Sequence, residues 1–254
     1  MSLPHRLKCA ETWAGNEGTS SLVDLPGLSA WVYSRPFGAD ETGGDVHYVS
    51  VCPSCIVSRI ALADVSGHGR AVAALGARLR DLMQKHLTAL EQTGLMRDLN
   101  EAVLVDLDPV HYATMVAAGF HGRRGLLVLT NAGHPPAFWY RAHRSEWAWF
   151  EPPSATQNIA VKGTPLGLLP DAVYDRLIVK PEPGDLIVLY SDGVSEATNP
   201  AGQELGRDDL MALSRTLDRS SIETFGTGLV AALDEFRGGK APEDDVTIIV
   251  LGLP

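Results

Sequence analysis

The hydrophobic period of the chain changes abruptly across the acidic turn DVSGHG, residues 64–69, and the runs of strands and of helices on its two sides argue against alternating βαβ units. Before it, WVYS, VHYVSV and IVSRIALA are rich in β-branched and aromatic residues and are separated by Gly- and Pro-bearing turns, which reads as a series of strands. After it, Ala71, Leu75, Leu79, Leu82, Met83, Leu87 and Leu90 recur at helical spacing, so residues 70–91 are predicted to be an amphipathic helix. Gly94 is expected to end it, and Leu95, Leu99, Val103 and Leu107 mark a second, shorter helix that stops near Asp108-Pro109. Strands then resume with YATMVAAGF, LLVLTNAG, AFWYRA, WAWFE, DRLIVK and DLIVLY. The capping-box pattern Ser220-x-x-Glu223 opens a further helix with Ile222, Phe225, Leu229, Leu233 and Phe236 on one face, and VTIIVLG, residues 246–252, closes the chain as a strand. Strands, two helices, many strands, helices and a last strand make an α+β fold with mainly antiparallel sheets. Residues 1–30, broken by Gly15, Gly18, Pro26 and Gly27, are expected to be an irregular N-terminal extension, with a single domain over 31–254.

Composition narrows the function. The chain has 254 residues, 45% of them hydrophobic, enough to bury a large core. A formal net charge of −10, with no Lys/Arg run, argues against nucleic acid or an anionic membrane as the main partner. No apolar stretch reaches the length of a membrane span and MSLPHRLKCAETWAG lacks the apolar centre of a signal peptide, so a soluble, cytoplasmic protein is expected. Three cysteines, Cys9, Cys52 and Cys55, are an odd and small set that fits a reducing compartment better than a disulfide framework, and CPSC reads as the turn of a hairpin.

Four acidic turns abut strands: Gly44-Asp45 before VHYVSV, Asp64 after IALA, Asp192 after LIVLY, and Asp244-Asp245 before VTIIVLG. An Asp beside a Gly is ordinary turn chemistry, and any one of these alone reads as a turn. Four of them at strand ends are the signal, because an antiparallel arrangement can bring all four to one rim of a sheet as an all-oxygen site. Hard cations such as Mg²⁺ and Mn²⁺ favour such donors, and two of them can activate a water for attack at phosphorus.

In order along the chain, GGD at 43–45, ADVSGHG at 63–69, YATM at 112–115, NAGHPP at 131–136, TPLGLLPDAVY at 164–174, GDLIVLYSDGVSEATN at 184–199 and EDDVTIIVL at 243–251 resemble the blocks of the SpoIIE/RsbU-like branch of the PPM-type, metal-dependent serine/threonine protein phosphatases, relatives of protein phosphatase 2C. The resemblance covers roughly residues 31–252. It implies a β-sandwich flanked by helices in four layers, αββα, and a binuclear Mn²⁺ or Mg²⁺ centre. It further implies ligands at Asp45, Asp64, the Val65 carbonyl, Asp192 and Asp244, with Asp245 capping or orienting and a metal-activated water as nucleophile. The implied substrate is a phosphorylated signalling protein of the anti-sigma-factor-antagonist kind, and the helices of residues 70–107 are the implied surface for a regulatory protein.

Lesser candidates surround these. Ser66-Gly67-His68-Gly69 precedes the first helix and can face a phosphate, with His68 a candidate general acid against the simpler reading of a turn residue. His134 reads as structural, Glu196 and Asn199 as supports of the site, and Asp208 and Asp209 as acids of a helix start. Two positions depart from the family pattern: the GGD block continues Val46-His47-Tyr48 instead of aromatic-aromatic-Asp, and the phosphate-gripping arginine of eukaryotic-type members has no assigned counterpart, although Arg35 lies near its place. Two other functions fit less well. A two-metal hydrolase of another phosphoester wants basic or aromatic groups near the acidic turns, and a catalytically silent binding module would have lost ligands.

Overall fold

The computed structural model describes residues 4–38, 41–67, 70–86, 92–106, 111–150 and 163–253. In chain order the strands are β1 (His5–Arg6), β2 (Thr12–Glu17), β3 (Thr19–Leu25), β4 (Leu28–Arg35), β5 (Thr42–Val51) and β6 (Val57–Val65). The helices α1 (Arg70–His86) and α2 (Gln92–Asp106) follow, then β7 (Ala113–His121), β8 (Leu126–Ala132), β9 (Phe138–Arg141), β10 (Glu146–Trp149), β11 (Arg176–Val179) and β12 (Leu186–Tyr190). The chain ends with α3 (Asp192–Ser195), α4 (Gly206–Ser214), α5 (Ile222–Arg237) and β13 (Val246–Gly252).

The strands form two sheets, one ordered β1-β3-β4-β13-β12-β9-β10 and the other β11-β8-β7-β6-β5-β2. All pairings are antiparallel except β1 with β3. Three apolar clusters divide the molecule into four layers. Val32, Ile187 and Ile249 of one sheet meet Val49, Ile60 and Val116 of the other between the sheets. On the far face of the six-stranded sheet, Tyr48, Ala61 and Met115 pack under Leu79, Met83, Leu95 and Leu99 of α1 and α2. On the far face of the seven-stranded sheet, Trp31, Val188 and Ile248 pack under Leu210, Phe225 and Leu229 of α4 and α5.

This layering explains why LIVLY shows no polar alternation. Leu186, Val188 and Tyr190 point to the helix layer and Ile187 and Leu189 to the space between the sheets, so both faces of β12 are covered. Gly226 of α5 lies against the Trp31 ring so closely that a Cβ there would overlap it.

Several expectations need correction. Residues 5–25, expected to be irregular, form β1 to β3 and join both sheets, because Trp13, Val23 and Leu25 supply apolar contacts that the short, Gly-interrupted runs conceal. Gly94 does not break the helices but sits in the first turn of α2; residues 87–91, predicted as the end of the first helix, lie outside the described residues. The N-cap of α5 is Ser221, whose Oγ accepts the Thr224 N–H at 2.9 Å, one residue later than the capping-box pattern. CPSC is the hairpin turn predicted for it, with the Cys55 N–H donating to the Cys52 carbonyl at 2.9 Å. The reading of the cysteines as an unbridged set does not hold, since Cys55 is joined to Cys9 and only Cys52 is a free thiol. Burial works to raise the Cys52 pKa, but hydrogen bonds from Ser54 and from the backbone N–H groups of Val57, Ile56 and Ser54 hold it below its ordinary value. No described helix is long and apolar enough to cross a membrane.

The bridge closes a loop with a sequence separation of 46 residues and pins the N-terminal segment to the β5–β6 hairpin. Chain-entropy arguments for a loop of this size give about 4 kcal/mol, and measured bridges give about 2–4 kcal/mol. Cys9→Ser is therefore expected to lower the unfolding free energy by about 2–4 kcal/mol in urea titrations without reductant, and to match the wild type when reductant is present. Equal stability of the two without reductant would contradict this.

Candidate active site

Two strand pairs from different sheets deliver the acidic residues. β5 and β6 run antiparallel, and their last registered pair at this end is Val46 with Ala63, so the next residue along each strand is Asp45 and Asp64. Asp64 in turn pairs with Thr114 of β7. In the other sheet Tyr190 pairs with Ile248, which puts Asp192 just past the end of β12 and Asp244-Asp245 just before the start of β13. Antiparallel pairing sets Asp45 beside Asp64 at the end of one sheet and the Asp192 turn beside Asp244-Asp245 at the end of the other, where a single sheet rim was expected.

Asp245 fastens the two sheets together. Its Oδ2 accepts the Gly44 N–H at 2.6 Å and the Asp45 N–H at 3.4 Å, and its Oδ1 accepts the Phe37 N–H at 2.6 Å. With both oxygens engaged by backbone donors and the residue buried, Asp245 orients the GGD turn, as expected for it. Asp244 is half-buried, and its Oδ1 accepts the Asp245 N–H at 2.8 Å. Two glycines permit the close approach. A Cβ on Gly193 would overlap the Asp245 carbonyl oxygen and lie 3.3 Å from the Asp244 Cβ, and one on Gly44 would lie 3.3 Å from the Val65 carbonyl oxygen. The Val65 carbonyl is thus beside the residue that precedes Asp45.

The electrostatics follow from this crowding. Asp45 is 2% exposed, and neither of its carboxylate oxygens has a hydrogen-bond partner. Burial first, and then the charge of Asp245, push its pKa well above the usual carboxylate range; the nearby hydroxyls of Thr247 and Ser191 oppose this without making a hydrogen bond of regular geometry. Asp64 is also raised well above its ordinary value, by burial and then by the charges of Asp45, Asp192, Asp244 and Asp245. Burial raises Asp192, the backbone N–H groups of Gly193 and of Asp192 itself oppose the rise, and Asp245 adds to it. The carboxylates therefore occupy one electrostatic neighbourhood. Among the described residues, however, no group of three or more His, Cys, Asp or Glu side chains is gathered tightly enough to hold an ion as it stands. They neighbour one another without forming a closed ligand shell.

The other candidates sort clearly. His134 is buried, its Nδ1 lies 2.8 Å from Thr114 Oγ1, and its N–H donates to Asn131 Oδ1 at 2.8 Å. Burial lowers its pKa to about 3, so it is a neutral strut behind Asp64, in keeping with the structural reading. The Ser66 Oγ accepts the Tyr112 N–H at 3.2 Å, whereas His68 and Gly69 lie outside the described residues. Glu196 is raised by burial and then by Asp192, Glu204 and Asp244, which places it beside the site. Asn199 instead builds its own turn, its Oδ1 accepting the Ala201 and Gln203 N–H groups at 2.9 and 3.0 Å. Asp208 and Asp209 fall in the first turn of α4, as predicted. Tyr48, at the family's aspartate position, is fully buried under the helices. Arg35 pairs across the sheet with Val246, next to Asp245, and its Nη1 lies 4.0 Å from Asp234.

Three supporting residues escaped the sequence reading. Arg237 at the end of α5 is buried, donates from Nη2 to the Gly193 carbonyl at 3.1 Å, and has Nη1 3.5 Å from Asp234. Ser191 Oγ accepts the Thr247 N–H at 2.9 Å, and Thr247 Oγ1 lies 3.0 Å from Ser34 Oγ. A basic residue in a last helical turn and hydroxyls flanking acidic turns are too common to signal such roles by themselves.

Comparison with known proteins bears on the family and the fold. The family model described as Stage II sporulation protein E (SpoIIE) matches residues 57–254. Phosphoserine phosphatase RsbU of Bacillus subtilis (strain 168) is 28% identical over 214 residues, covering 84% of this chain and 60% of RsbU. Phosphoserine phosphatase RsbP of the same organism is 27% identical over 145 residues, 55% of this chain and 33% of RsbP. The chain thus spans 60% or less of the length of either relative. The SiaA-PP2C domain of Pseudomonas aeruginosa superposes with a TM-score of 0.74 at 18% identity, covering 89% of this chain and 86% of that one. The PP2C phosphatase domain of SpoIIE from Bacillus subtilis, solved with a fragment of its regulatory domain, also gives 0.74, at 17% identity over 89% of this chain and 63% of that one. At such identities the structural likeness concerns the fold, which is the α+β PP2C fold. With the family model matched from β6 to the C-terminus, the chain belongs to the SpoIIE family.

Proposed function

We propose that this chain hydrolyses phosphoserine or phosphothreonine in a signalling protein, in a divalent-cation-dependent reaction. The observation that carries the reading is Asp45, a fully buried carboxylate with both oxygens unpartnered, within electrostatic reach of Asp64. Such a group is costly in a protein interior unless a cation pairs with it, and the all-oxygen donor set fits a hard one. Asp45, Asp64, Asp192, Asp244 and the Val65 carbonyl would hold two Mn²⁺ or Mg²⁺ ions. When bound, such ions supply charge neutralisation and Lewis-acid activation of water for phosphoryl transfer. Phosphomonoester hydrolysis calls for up to about 10²¹-fold acceleration, a task suited to that chemistry. The phosphoserine phosphatases among the relatives support the choice of substrate class.

The chain's own residues act by position. Asp245 sets the backbone angle at Gly44 and Asp45, and Arg237 holds the Gly193 carbonyl and so the Asp192 turn. Asn16 Nδ2 donates to the Gly43 carbonyl at 3.0 Å and to the Ala73 carbonyl of α1 at 3.1 Å. A Cβ on Gly76 of α1 would lie 2.9 Å from the Gly43 carbonyl oxygen. A regulatory protein that grips the helices of residues 70–107 would therefore press on the turn that carries Asp45.

Purified protein is expected to hydrolyse an aryl phosphate with added Mn²⁺ and to lose that activity to a chelator. Asp192→Asn is expected to lower kcat/KM by about 100-fold or more, about 2.7 kcal/mol of transition-state stabilisation, with an unchanged thermal midpoint. Full activity in that variant would contradict the assignment of Asp192, and a wild type silent with every divalent cation would favour the binding module. Asp245→Ala, which removes the carboxylate that accepts the buried Gly44 and Asp45 N–H groups and the half-buried Phe37 N–H, is expected to lower the unfolding free energy in urea by about 3 kcal/mol. A loss below about 0.5 kcal/mol, typical of an uninvolved surface site, would contradict the fastening role.

A further inference from the structure

A second polar feature lies at the other end of the seven-stranded sheet. Tyr140 pairs with Leu186 at the start of β12, whereas Asp192 follows its end. At about 3.3 Å of rise per residue, the five residues of β12 alone separate the two ends by roughly 15 Å. Here a depression of about 700 Å³ is lined by Arg144, Arg215 and Arg219 together with Tyr140, Trp147 and Glu146. The arginines come from two segments, the β9–β10 connection and the turn that follows α4.

All three guanidinium groups are oriented by their surroundings. Arg219 stacks over the Tyr140 ring at 4.6 Å, and its Nη1 donates to the carbonyls of Arg215 and Leu217 at 3.2 Å each. Arg215 directs Nη2 toward the Met211 sulfur at 3.8 Å. Arg144 Nε lies 3.0 Å from His143 Nε2. All three residues are exposed, and among the described residues none has a carboxylate within 4.0 Å, although Glu146 lines the same depression. In a chain of net charge −10, three uncompensated guanidinium groups around one concavity are a local reversal of sign. Guanidinium forks match carboxylate and phosphate oxygens in pairs, and a positive patch on an acidic surface selects an acidic partner while repelling basic ones.

We propose that this depression docks an acidic segment of a protein partner, its carboxylates read by Arg144, Arg215 and Arg219. The volume exceeds what a single inorganic anion fills, and three guanidinium groups from two segments match several carboxylates in sequence better than one. Its distance from the carboxylate rim makes it a tethering site and not a grip on the reacting phosphate. Tethering raises the effective concentration of the partner at the catalytic end without altering the chemistry.

The test uses the full chain and a fluorescein-labelled octapeptide of alternating glutamate and serine, followed by fluorescence anisotropy at low salt. Saturable binding is expected, weakening as added NaCl shortens the screening length. The triple variant Arg144→Gln, Arg215→Gln, Arg219→Gln is expected to bind about tenfold more weakly or worse, a loss of about 1.4 kcal/mol, with aryl-phosphate hydrolysis unchanged. The triple lysine variant, which keeps the charge and loses the forks, should fall between the two. Equal binding by wild type and the glutamine variant, no binding by wild type at low salt, or displacement of the peptide by equimolar inorganic phosphate would each overturn the proposal. Because the readout is peptide binding and aryl-phosphate hydrolysis is followed separately, failure here is distinct from failure of the phosphatase reading.

Discussion

A carboxylate that accepts one backbone N–H beside its own sheet and two from the other sheet is the constraint on which the site depends. Asp245 ties the lead into β13 to the GGD turn and to Phe37. Without it nothing in the local propensity of either sheet would fix Asp45 of one against Asp192 and Asp244 of the other. The glycines at 43 and 193 are its counterpart, since a Cβ on either would overlap Asp245. Acid-rich turns are thereby converted from four independent loops into one rim, and the cost of that assembly appears as the raised carboxyl groups of Asp45, Asp64 and Asp192.

The layers around the rim explain why this arrangement is tolerated. Both faces of each sheet are covered, so β12 and β13 are held by apolar contacts on two sides and can carry charged residues at their ends without fraying. On one flank α1 rests on the Gly43–Gly44 backbone, and on the other Arg237 of α5 reaches under the Asp192 turn. Each helix layer thus meets the site at a main-chain atom. The disulfide from Cys9 adds a further tie at the opposite end of β5, away from the acidic residues.

Much of this was legible in the residues. The shift from alternating to helical period located α1 and α2, and the strand ends at Tyr190 and Val246 were readable because turn residues follow or precede long apolar runs. The four acidic turns were legible as a set because each abuts a strand. What escaped the sequence depends on distance in space. β1 to β3 are half-exposed, so their apolar positions form no run, and only the pairing of β2 with β5, of β3 with β4 and of β1 with β3 makes them strands. Arg237 is one arginine in a last helical turn until Gly193 is seen beside it. Cys9 and Cys55 are far apart in the chain, and an odd count of cysteines conceals a single bridge. That Asp245 accepts backbone N–H groups from Phe37 and Gly44 likewise shows only in three dimensions.

The central claim is that Asp45, Asp64, Asp192 and Asp244 form one cation-binding rim although they do not meet as a finished cage. Anomalous diffraction from crystals soaked in Mn²⁺ tests it most directly. The account predicts two strong peaks between the sheets, each with oxygen atoms of these aspartates at coordination distance. Crystals that diffract well and show no peak at this rim, or peaks only at surface carboxylates elsewhere, would contradict it.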